Sequence, residues 1–301
     1  MRSRSSTSWP ALRSTAASDG GGIYSLGVLT LNHCTVSGNA GFNGGGVGSA
    51  GSGALEINDS TVHSNAASNM GGGVYNNGST ATLTNSAIRV NTAGVSGGGV
   101  FNSTTLIMTS CALTGNTATD TGGGVENRSA ATLTNCTLSG NAANGGGGGG
   151  VYNAQSGAVV TLVNCTIADN AVPVSSGNGG GISGDSATFH IKNTIIANNS
   201  DFGGDNDCYD DGGMVYDYQG YNLMEYKGNC TISGDTTGSI EAIDPMLGPL
   251  TWDSGAWVHP LLGGSPAIDA IPGCNGGPPT DQRGVTRPQN TNCDMGAYEY
   301  P

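Results

Sequence analysis

The densest group of side chains that could carry chemistry is an acidic stretch that begins at Asp201. Five carboxylates stand within eleven residues, separated by glycines and one asparagine: Asp201, Asp205, Asp207, Asp210 and Asp211. Carboxylate and amide oxygens are the ligands that Ca²⁺ prefers in proteins. The spacing differs from that of an EF-hand. The stretch predicts either a structural calcium site or an acidic loop that is solvated without a metal.

A second group follows a valine or isoleucine that recurs every 24 to 31 residues. In four consecutive units the next residue is Tyr75, Phe101, Glu126 and Tyr152, and Arg128 stands two residues from Glu126. If the apolar residue points inward along a strand, its neighbour points outward. The row therefore predicts a solvent-facing surface on which aromatic rings bind a polysaccharide. The alternative is that stacked rings only stabilise neighbouring strands.

Carboxylates in this row could also support the hydrolysis of a neutral polysaccharide. Glu126 and Asp120 are the catalytic candidates, because glycoside hydrolysis needs two carboxyl groups about 5 to 10 Å apart. A further polar cluster occupies different repeat positions, so its members are not expected to share one face: Glu56, Asp59, His63 and Arg89. An enzyme is therefore an alternative to a binding protein.

Two of the three tryptophans stand close together near the C-terminus. Trp252 and Trp257 are accompanied by Asp253 and His259 within eight residues. This composition predicts a loop that stacks on sugars. The alternative is that both rings pack the C-terminal region onto the rest of the chain.

The elements that must position these groups follow from an internal repeat. Triple-glycine openings begin at positions 20, 44, 71, 97, 122, 148 and 179. A period of about 25 residues is typical of a solenoid, and apolar and polar residues alternate in steps of two, which indicates strands. The sequence predicts an all-β parallel β-helix with three short strands per coil. Seven coils span residues 20–199, after a Ser/Arg-rich tail (1–19) and before an acidic coil and cap region (200–301).

Equivalent residues of stacked coils should form ladders. Val74, Val100, Val125 and Val151 are predicted to form an inward aliphatic ladder. The asparagine two residues later in each unit is predicted to form a side-chain amide ladder in the turn, at Asn76, Asn102, Asn127 and Asn153. Stacked amides satisfy one another, so these asparagines are expected to be structural.

The charge of the chain is unevenly distributed. The net charge of −13 divides into −1 up to Asn199 (seven acids, six bases) and −12 after it (fifteen acids, three bases). Such a surface repels nucleic acid, and no basic stripe is present to bind phosphates. No stretch of 18 apolar residues occurs, so no membrane span is predicted.

The eight cysteines fall into two classes. Four share one repeat position with serine and threonine, which predicts buried free thiols: Cys34, Cys111, Cys136 and Cys165. The other four are expected to lie outside the ladders and to form two disulfides that each close a loop of about 20 residues, Cys208–Cys230 and Cys274–Cys293. Loop disulfides imply an oxidising compartment, so an extracellular or cell-surface location is expected.

The motifs after Gly264 resemble those of a known family. Ser265-Pro-Ala-Ile-Asp269, Asp281-Gln-Arg-Gly284 and Cys293-Asp-Met-Gly-Ala-Tyr-Glu299 are similar to the C-terminal motifs of bacterial choice-of-anchor Q proteins, and the repeats look similar to those of polymorphic outer-membrane proteins. The resemblance implies a right-handed parallel β-helix that is secreted or surface-anchored, and it carries over no catalytic residue. Ala267 and Ile268 are expected to plug the last coil, and Asp281 and Arg283 to pair.

These observations favour a secreted or surface protein that binds extracellular polysaccharide or matrix through its ladder face. One alternative is a polysaccharide-degrading hydrolase or lyase on the same scaffold. A second alternative is a structural adhesin stalk or filament subunit, in which the strand edge at Gly20 associates end to end with another molecule unless residues 1–19 cover it.

Overall fold

In a computed structural model, which describes residues 19–175, 178–210 and 212–301, the chain winds into a parallel β-solenoid. The predicted tail lies outside the described residues apart from Asp19. Each of the first seven coils contributes one strand to each of four sheets around a common interior. The prediction of three strands per coil was wrong, because residue pairs such as Ala66–Ala67 form a fourth short ladder.

The strands are numbered in chain order, and one 3-10 helix, Pro272–Gly276, is present among the described residues. The strands are β1 Ile23–Ser25, β2 Leu29–Asn32, β3 Thr35–Ser37, β4 Ala40–Gly41, β5 Val47–Ala50, β6 Leu55–Asn58, β7 Thr61–His63, β8 Ala66–Ala67, β9 Val74–Asn77, β10 Thr80–Thr84, β11 Ala87–Arg89, β12 Thr92–Ala93, β13 Val100–Asn102, β14 Thr105–Thr109, β15 Ala112–Thr114, β16 Thr117–Ala118, β17 Val125–Asn127, β18 Ala130–Thr134, β19 Thr137–Ser139, β20 Ala142–Ala143, β21 Val151–Asn153, β22 Val159–Val163, β23 Thr166–Ala168, β24 Ala171–Val172, β25 Ile182–Gly184, β26 Thr188–Lys192, β27 Ile195–Ala197, β28 Ser200–Asp201, β29 Gly204–Asp205, β30 Val215–Gln219, β31 Leu223–Met224, β32 Ile232–Asp235, β33 Ile240–Glu241, β34 Thr251–Asp253 and β35 Ala256–Val258.

Four strand stacks run along the solenoid axis. The first sheet contains β1, β5, β9, β13, β17, β21 and β25, and the second contains β2, β6, β10, β14, β18, β22, β26, β30 and β32. The third contains β3, β7, β11, β15, β19, β23, β27, β31 and β33, and the fourth contains β4, β8, β12, β16, β20, β24, β28 and β29. Strands β34 and β35 form a separate antiparallel hairpin.

The inward residues of the strands form the predicted ladders. Val74, Val100, Val125 and Val151 pair in register and are fully buried, which confirms the aliphatic ladder. The first glycine of each triple-glycine opening takes a left-handed conformation. Gly71 has φ +67°, and a Cβ there would lie 2.5 Å from the carbonyl oxygen of Val74. Only glycine fits this corner.

Two ladders of asparagine side chains line the turns. Asn76, Asn102 and Asn127 each donate a side-chain N–H to the amide oxygen of the next asparagine at 2.7 to 2.9 Å, and Asn153 ends the row, which confirms the predicted ladder. A second ladder was not predicted as such. In it each amide oxygen accepts both the backbone and the side-chain N–H of the preceding asparagine along Asn39, Asn65, Asn91, Asn116, Asn141, Asn170 and Asn199.

The coils continue beyond Asn199. Strands β30 and β31 extend the second and third sheets by a further coil, and β32 and β33 follow them. Cys208 pairs with Ile182, so it continues the valine ladder rather than lying outside the ladders as expected. Both predicted disulfides are present, and the other four cysteines are free, of which three are buried.

Residues 244–301, the C-terminal segment, pack along the side of the third sheet. Ala267 is fully buried in a cluster with the outward-facing Ile195, Ala197 and Leu223, and this cluster is separate from the solenoid interior. The expectation that Ala267 plugs the last coil was therefore wrong, because outward apolar residues on the third sheet provide a lateral surface for it. The interior of the last coils instead contains the Cys208–Cys230 disulfide with Tyr216 and Tyr218.

We expect substitution of a central ladder asparagine to destabilise the solenoid strongly. Asn116 makes four ladder bonds and donates to the carbonyl oxygen of Ile88, so Asn116→Ala leaves several buried groups unpaired. Each unpaired buried group costs roughly 1–3 kcal/mol, so the free energy of unfolding should fall by about 3 kcal/mol or more. Urea denaturation measures it, with the exposed Asn144→Ala as the matched control. Equal effects of the two variants would contradict the role of the ladder.

Candidate functional site

The described residues form a groove between the third sheet and the C-terminal segment. Its volume is about 480 Å³. The floor comes from three neighbouring strands through Thr61, Ala87 and Ala112, and the residues before those strands form one side. The remaining lining residues are Asp59, Ser60, Asn85, Ser86, Ser110, Trp252, Ser254, Gly255, Ala256, Trp257, Thr280, Asp281, Gln282, Arg283 and Gly284.

The β34–β35 hairpin places both tryptophans at this groove. Trp252 and Trp257 are cross-strand partners whose ring centroids lie 5.6 Å apart at 63°. The guanidinium of Arg89, on β11, lies 4.7 Å from the Trp257 ring, so that ring is held against the third sheet. Trp252 keeps 57% of its surface exposed. One ring therefore packs onto the solenoid, as the structural alternative expected, and the other presents an open face.

Arg283 holds together the β34–β35 hairpin and the loop of residues 280–284, which both line the groove. Its guanidinium lies 2.6 Å from an Asp253 oxygen and 2.7 Å from an Asp281 oxygen, and it stacks on Tyr298 at 3.6 Å. Hydrogen bonds from Arg283 and then Ser254 lower the pKa of Asp253. The predicted pairing of Asp281 with Arg283 is confirmed. Because both oxygens of Asp281 accept hydrogen bonds and its side chain is fully buried, this carboxylate is part of the wall.

Gln282 joins this wall to the solenoid. Its Oε1 accepts the Thr137 hydroxyl at 2.6 Å, and its Nε2 donates to the carbonyl oxygens of Cys111 and Trp257 at 3.2 Å. Further along the same sheet, Ser139 Oγ lies 2.9 Å from His259 Nε2, and His259 Nδ1 lies 2.8 Å from the carbonyl oxygen of Gly248. Both side chains are buried, so this serine and histidine pin the segment and do not face a substrate.

The polar side of the groove is a row of corner residues. Asn85 donates to Asp59 Oδ1 at 3.3 Å, and His33 Nε2 lies 4.0 Å from Asp59 Oδ2. The Asp59 side chain is 45% exposed. Of the polar cluster that the sequence singled out, Asp59 lines the groove, Arg89 contacts Trp257, and Glu56 lies on the outer face of the second sheet, where it accepts the Thr30 hydroxyl. The cluster does not share one face, as expected.

The predicted solvent-facing aromatic row is largely covered. Phe101 is 3% exposed and Glu126 is 1% exposed, while Tyr75 and Tyr152 are half-buried. The expectation of an open row was wrong, because the chain before each triple glycine folds over these side chains. Glu126 accepts the Thr121 hydroxyl and two N–H groups of Arg128 at 2.9 and 2.7 Å.

The rings in this row stack on one another. The Tyr75 and Phe101 centroids lie 5.3 Å apart at 15°, and Arg128 covers Phe101 at 4.8 Å. This geometry favours the alternative that the row stabilises neighbouring strands. Of the two catalytic candidates, Asp120 is exposed, whereas Glu126 is enclosed by Arg128 and Thr121.

The family follows from the comparison with family profiles. The profile described as "Right handed beta helix region" matches residues 21–200, more than half of the chain. The chain belongs to this family. Comparisons with curated proteins and with solved structures give no match. The finer resemblance to choice-of-anchor Q proteins stays a prediction. In the described part of this β-helix protein, no helix is long and apolar enough to cross a membrane.

The acidic stretch of this β-helix protein distributes its described carboxylates over separate turns. Asp201 accepts the Gly203 N–H and the Asn206 side-chain N–H, and Asp210 accepts the Gly212 and Met214 N–H groups. Asp211 and the Asp205 side chain lie outside the described residues. Among the residues that the structure describes, no group of three or more His, Cys, Asp or Glu side chains is arranged to hold a metal ion. The calcium site stays a prediction.

Asp207 has a different role, as the last acceptor of the second asparagine ladder. Its Oδ1 accepts the backbone and side-chain N–H of Asn199 at 3.1 and 2.8 Å, as the preceding asparagines do, and its Oδ2 accepts the Tyr226 N–H at 2.7 Å. Burial raises the pKa of Asp207 to about 7, against these hydrogen bonds, which lower it.

Stability should therefore depend on the protonation of Asp207. Its pKa is raised in the folded chain and is near 3.9 in an unfolded chain. Its contribution is thus fully present below pH 4 and is lost as pH rises to about 7. We expect the contribution of Asp207 to the free energy of unfolding to fall over this interval, by an amount on the order of a few kcal/mol. Urea denaturation at pH 4, 5, 6 and 7 measures it.

Asp207→Asn is the matched variant for this test, because it keeps the Oδ1 acceptor and cannot titrate. The variant should lose the Tyr226 bond, so it should be less stable than the wild type at pH 4, and its stability should change less between pH 4 and pH 7. Other buried acids such as Asp294, whose pKa burial raises to about 6, remain in both proteins and cancel in the difference. Parallel pH profiles of the two proteins would contradict the assignment.

Proposed function

We propose that this protein binds extracellular glycan in the groove between the third sheet and the β34–β35 hairpin. The observation that carries the proposal is the exposed face of Trp252 above a floor of small and hydroxylated side chains. A flat aromatic ring covers the C–H face of a sugar while its polar neighbours bond the hydroxyl groups. Asp59, Asn85 and Ser110 supply such donors and acceptors along one side.

The charges around the groove favour a neutral glycan. Asp59, Asp253 and Asp281 carry three negative charges, against two positive charges on Arg89 and Arg283. Arg283 is already paired with Asp253 and Asp281, so its charge is balanced within the protein, and Arg89 stacks on Trp257. The net charge of −13 also repels polyanions at longer range.

The groove supports binding better than hydrolysis. Asp59 and Asp281 are the carboxylates that line it, and Asp281 is fully buried with both oxygens engaged. Hydrolysis of a glycosidic bond normally needs two working carboxyl groups. The lining therefore offers one accessible carboxylate, Asp59, where two would be required.

The two disulfides and the proposed ligand both agree with an extracellular or bacterial-surface location. The described residues of the acidic stretch are not among those that line the groove. A calcium ion bound there would therefore order the last coils rather than contact the glycan. Glycan binding should then persist in EDTA.

Removing the exposed ring should weaken binding without unfolding the protein. A panel of linear neutral hexasaccharides (β-1,4-, β-1,3- and α-1,4-glucan, xylan and mannan) is screened first with the wild type. We expect Trp252→Ala to lower the affinity for the glycan that the wild type binds about tenfold, because a stacked ring contributes roughly 1.5 kcal/mol. Isothermal titration calorimetry measures the affinity.

The control is Phe42→Ala, which removes a similarly exposed ring outside the groove and should leave affinity unchanged. Equal affinities of Trp252→Ala and wild type would contradict the site. A wild type that binds no member of the panel would contradict the function and favour the stalk or filament alternative. Release of reducing sugar that Asp59→Asn abolishes would instead favour the enzyme.

A further inference from the structure

The outer face of the third sheet is divided into an open half and a covered half. In β3, β7 and β11 the outward residues are exposed or half-buried. From β15 onward, through β19, β23 and β27, every residue of each strand is buried. The change occurs between adjacent coils, because the C-terminal segment covers the later ones.

The groove lies at this boundary. Its wall consists of the β34–β35 hairpin and residues 280–284, and it crosses the third sheet. The hairpin and residues 280–284 meet the floor at Ala112 on β15, which is buried. Directly behind the wall, Gln282 bonds Thr137 and Cys111. Beyond this point Thr137 and Ser139 on the next strand are buried under the segment, so the described residues leave no space for a chain there.

On the other side of the groove the face stays open. Thr61 and Ala87 are half-buried on the floor, and Thr35, one strand further, is exposed. The corner row continues in the same direction from Ser110 through Asn85 and Asp59 to His33, which is 65% exposed. Among the described residues, the groove lining includes Thr61 of β7 and no residue of β3.

We propose that the groove is a one-ended track that binds the terminus of a linear neutral polysaccharide. The chain runs parallel to the solenoid axis over β11, β7 and β3, and its terminal sugar rests against Trp252 and the wall held by Arg283. This inference rests on the proposed function and adds which part of the glycan is bound. Coils rise by roughly 4.8 Å, so each coil away from the wall contacts a sugar further from the chain end.

Fixed subsites give the track an order that substitutions can reveal. Ala87 lies on the floor beside the wall, whereas Thr35 lies two coils further away. A bulky side chain at Ala87 blocks the sugar next to the terminus. The same side chain at Thr35 blocks only a sugar that a longer chain places there.

The experiment measures the affinities of wild type, Ala87→Trp and Thr35→Trp for the same glycan series, from disaccharide to hexasaccharide. Ala87→Trp should lower the affinity for glycans of every length at least tenfold, and Thr35→Trp should lower the affinity only for the longer glycans. Thr132→Trp, on the exposed outer face of the second sheet, is the matched control and should bind as wild type. An equal loss for short chains with Thr35→Trp and Ala87→Trp would overturn the inference.

A second readout needs no variant. Each hexasaccharide is attached to a sensor surface through its reducing end or through its non-reducing end. Wild-type protein should bind one orientation and fail to bind the other. In the orientation that fails, the surface holds the terminus that would have to reach the wall. Equal binding to both orientations would overturn the one-ended track and leave the proposed function standing. Absence of binding to free hexasaccharides in solution would overturn both.

Discussion

The rest of the structure depends on the hydrogen bonds between buried asparagine side chains of successive coils. In the second ladder each amide oxygen accepts two N–H groups from the coil before it, with distances between 2.8 and 3.1 Å along the row. Because a buried amide that misses its partner is costly, every coil must stack at the same rise and rotation. Asp207 ends the row, and its carboxyl oxygens accept N–H groups of Asn199 and Tyr226.

This regular stacking aligns the outward residues of each sheet, and the third sheet uses the alignment in two ways. Over the early coils its outward positions are polar or small, as at Thr61 and Ala87, and they stay accessible. Over the late coils Ile195, Ala197 and Leu223 form an apolar strip that the C-terminal segment covers. The groove exists because the segment stops at the boundary between these two surfaces.

Much of the fold could be predicted because equivalent residues recur at fixed positions in each coil. The repeat predicts the valine ladder and the amide ladder from Asn76 to Asn153. Both disulfides were predicted from the cysteines that do not share the repeated cysteine position. The covered state of Glu126 could not be predicted, because the chain that folds over it lies in the part of the repeat whose length varies.

The groove itself could be predicted only in part. The paired tryptophans and the Asp281–Arg283 motif were visible in the sequence, but no periodicity placed them beside Ala87. One signal was present and was missed. Ile195, Ile196 and Ala197 are consecutive apolar residues, which breaks the alternation and indicates a strand buried on both faces. That break marks the surface on which the C-terminal segment docks.

The most direct test of the account is hydrogen–deuterium exchange of the wild-type protein with and without the neutral hexasaccharide that it binds. We expect slower exchange at residues 59–61, 85–87, 251–258 and 280–284, and little change elsewhere. Slower exchange around Tyr75, Glu126 and Tyr152, or in the acidic stretch from Asp201, with no change at the hairpin, would contradict it.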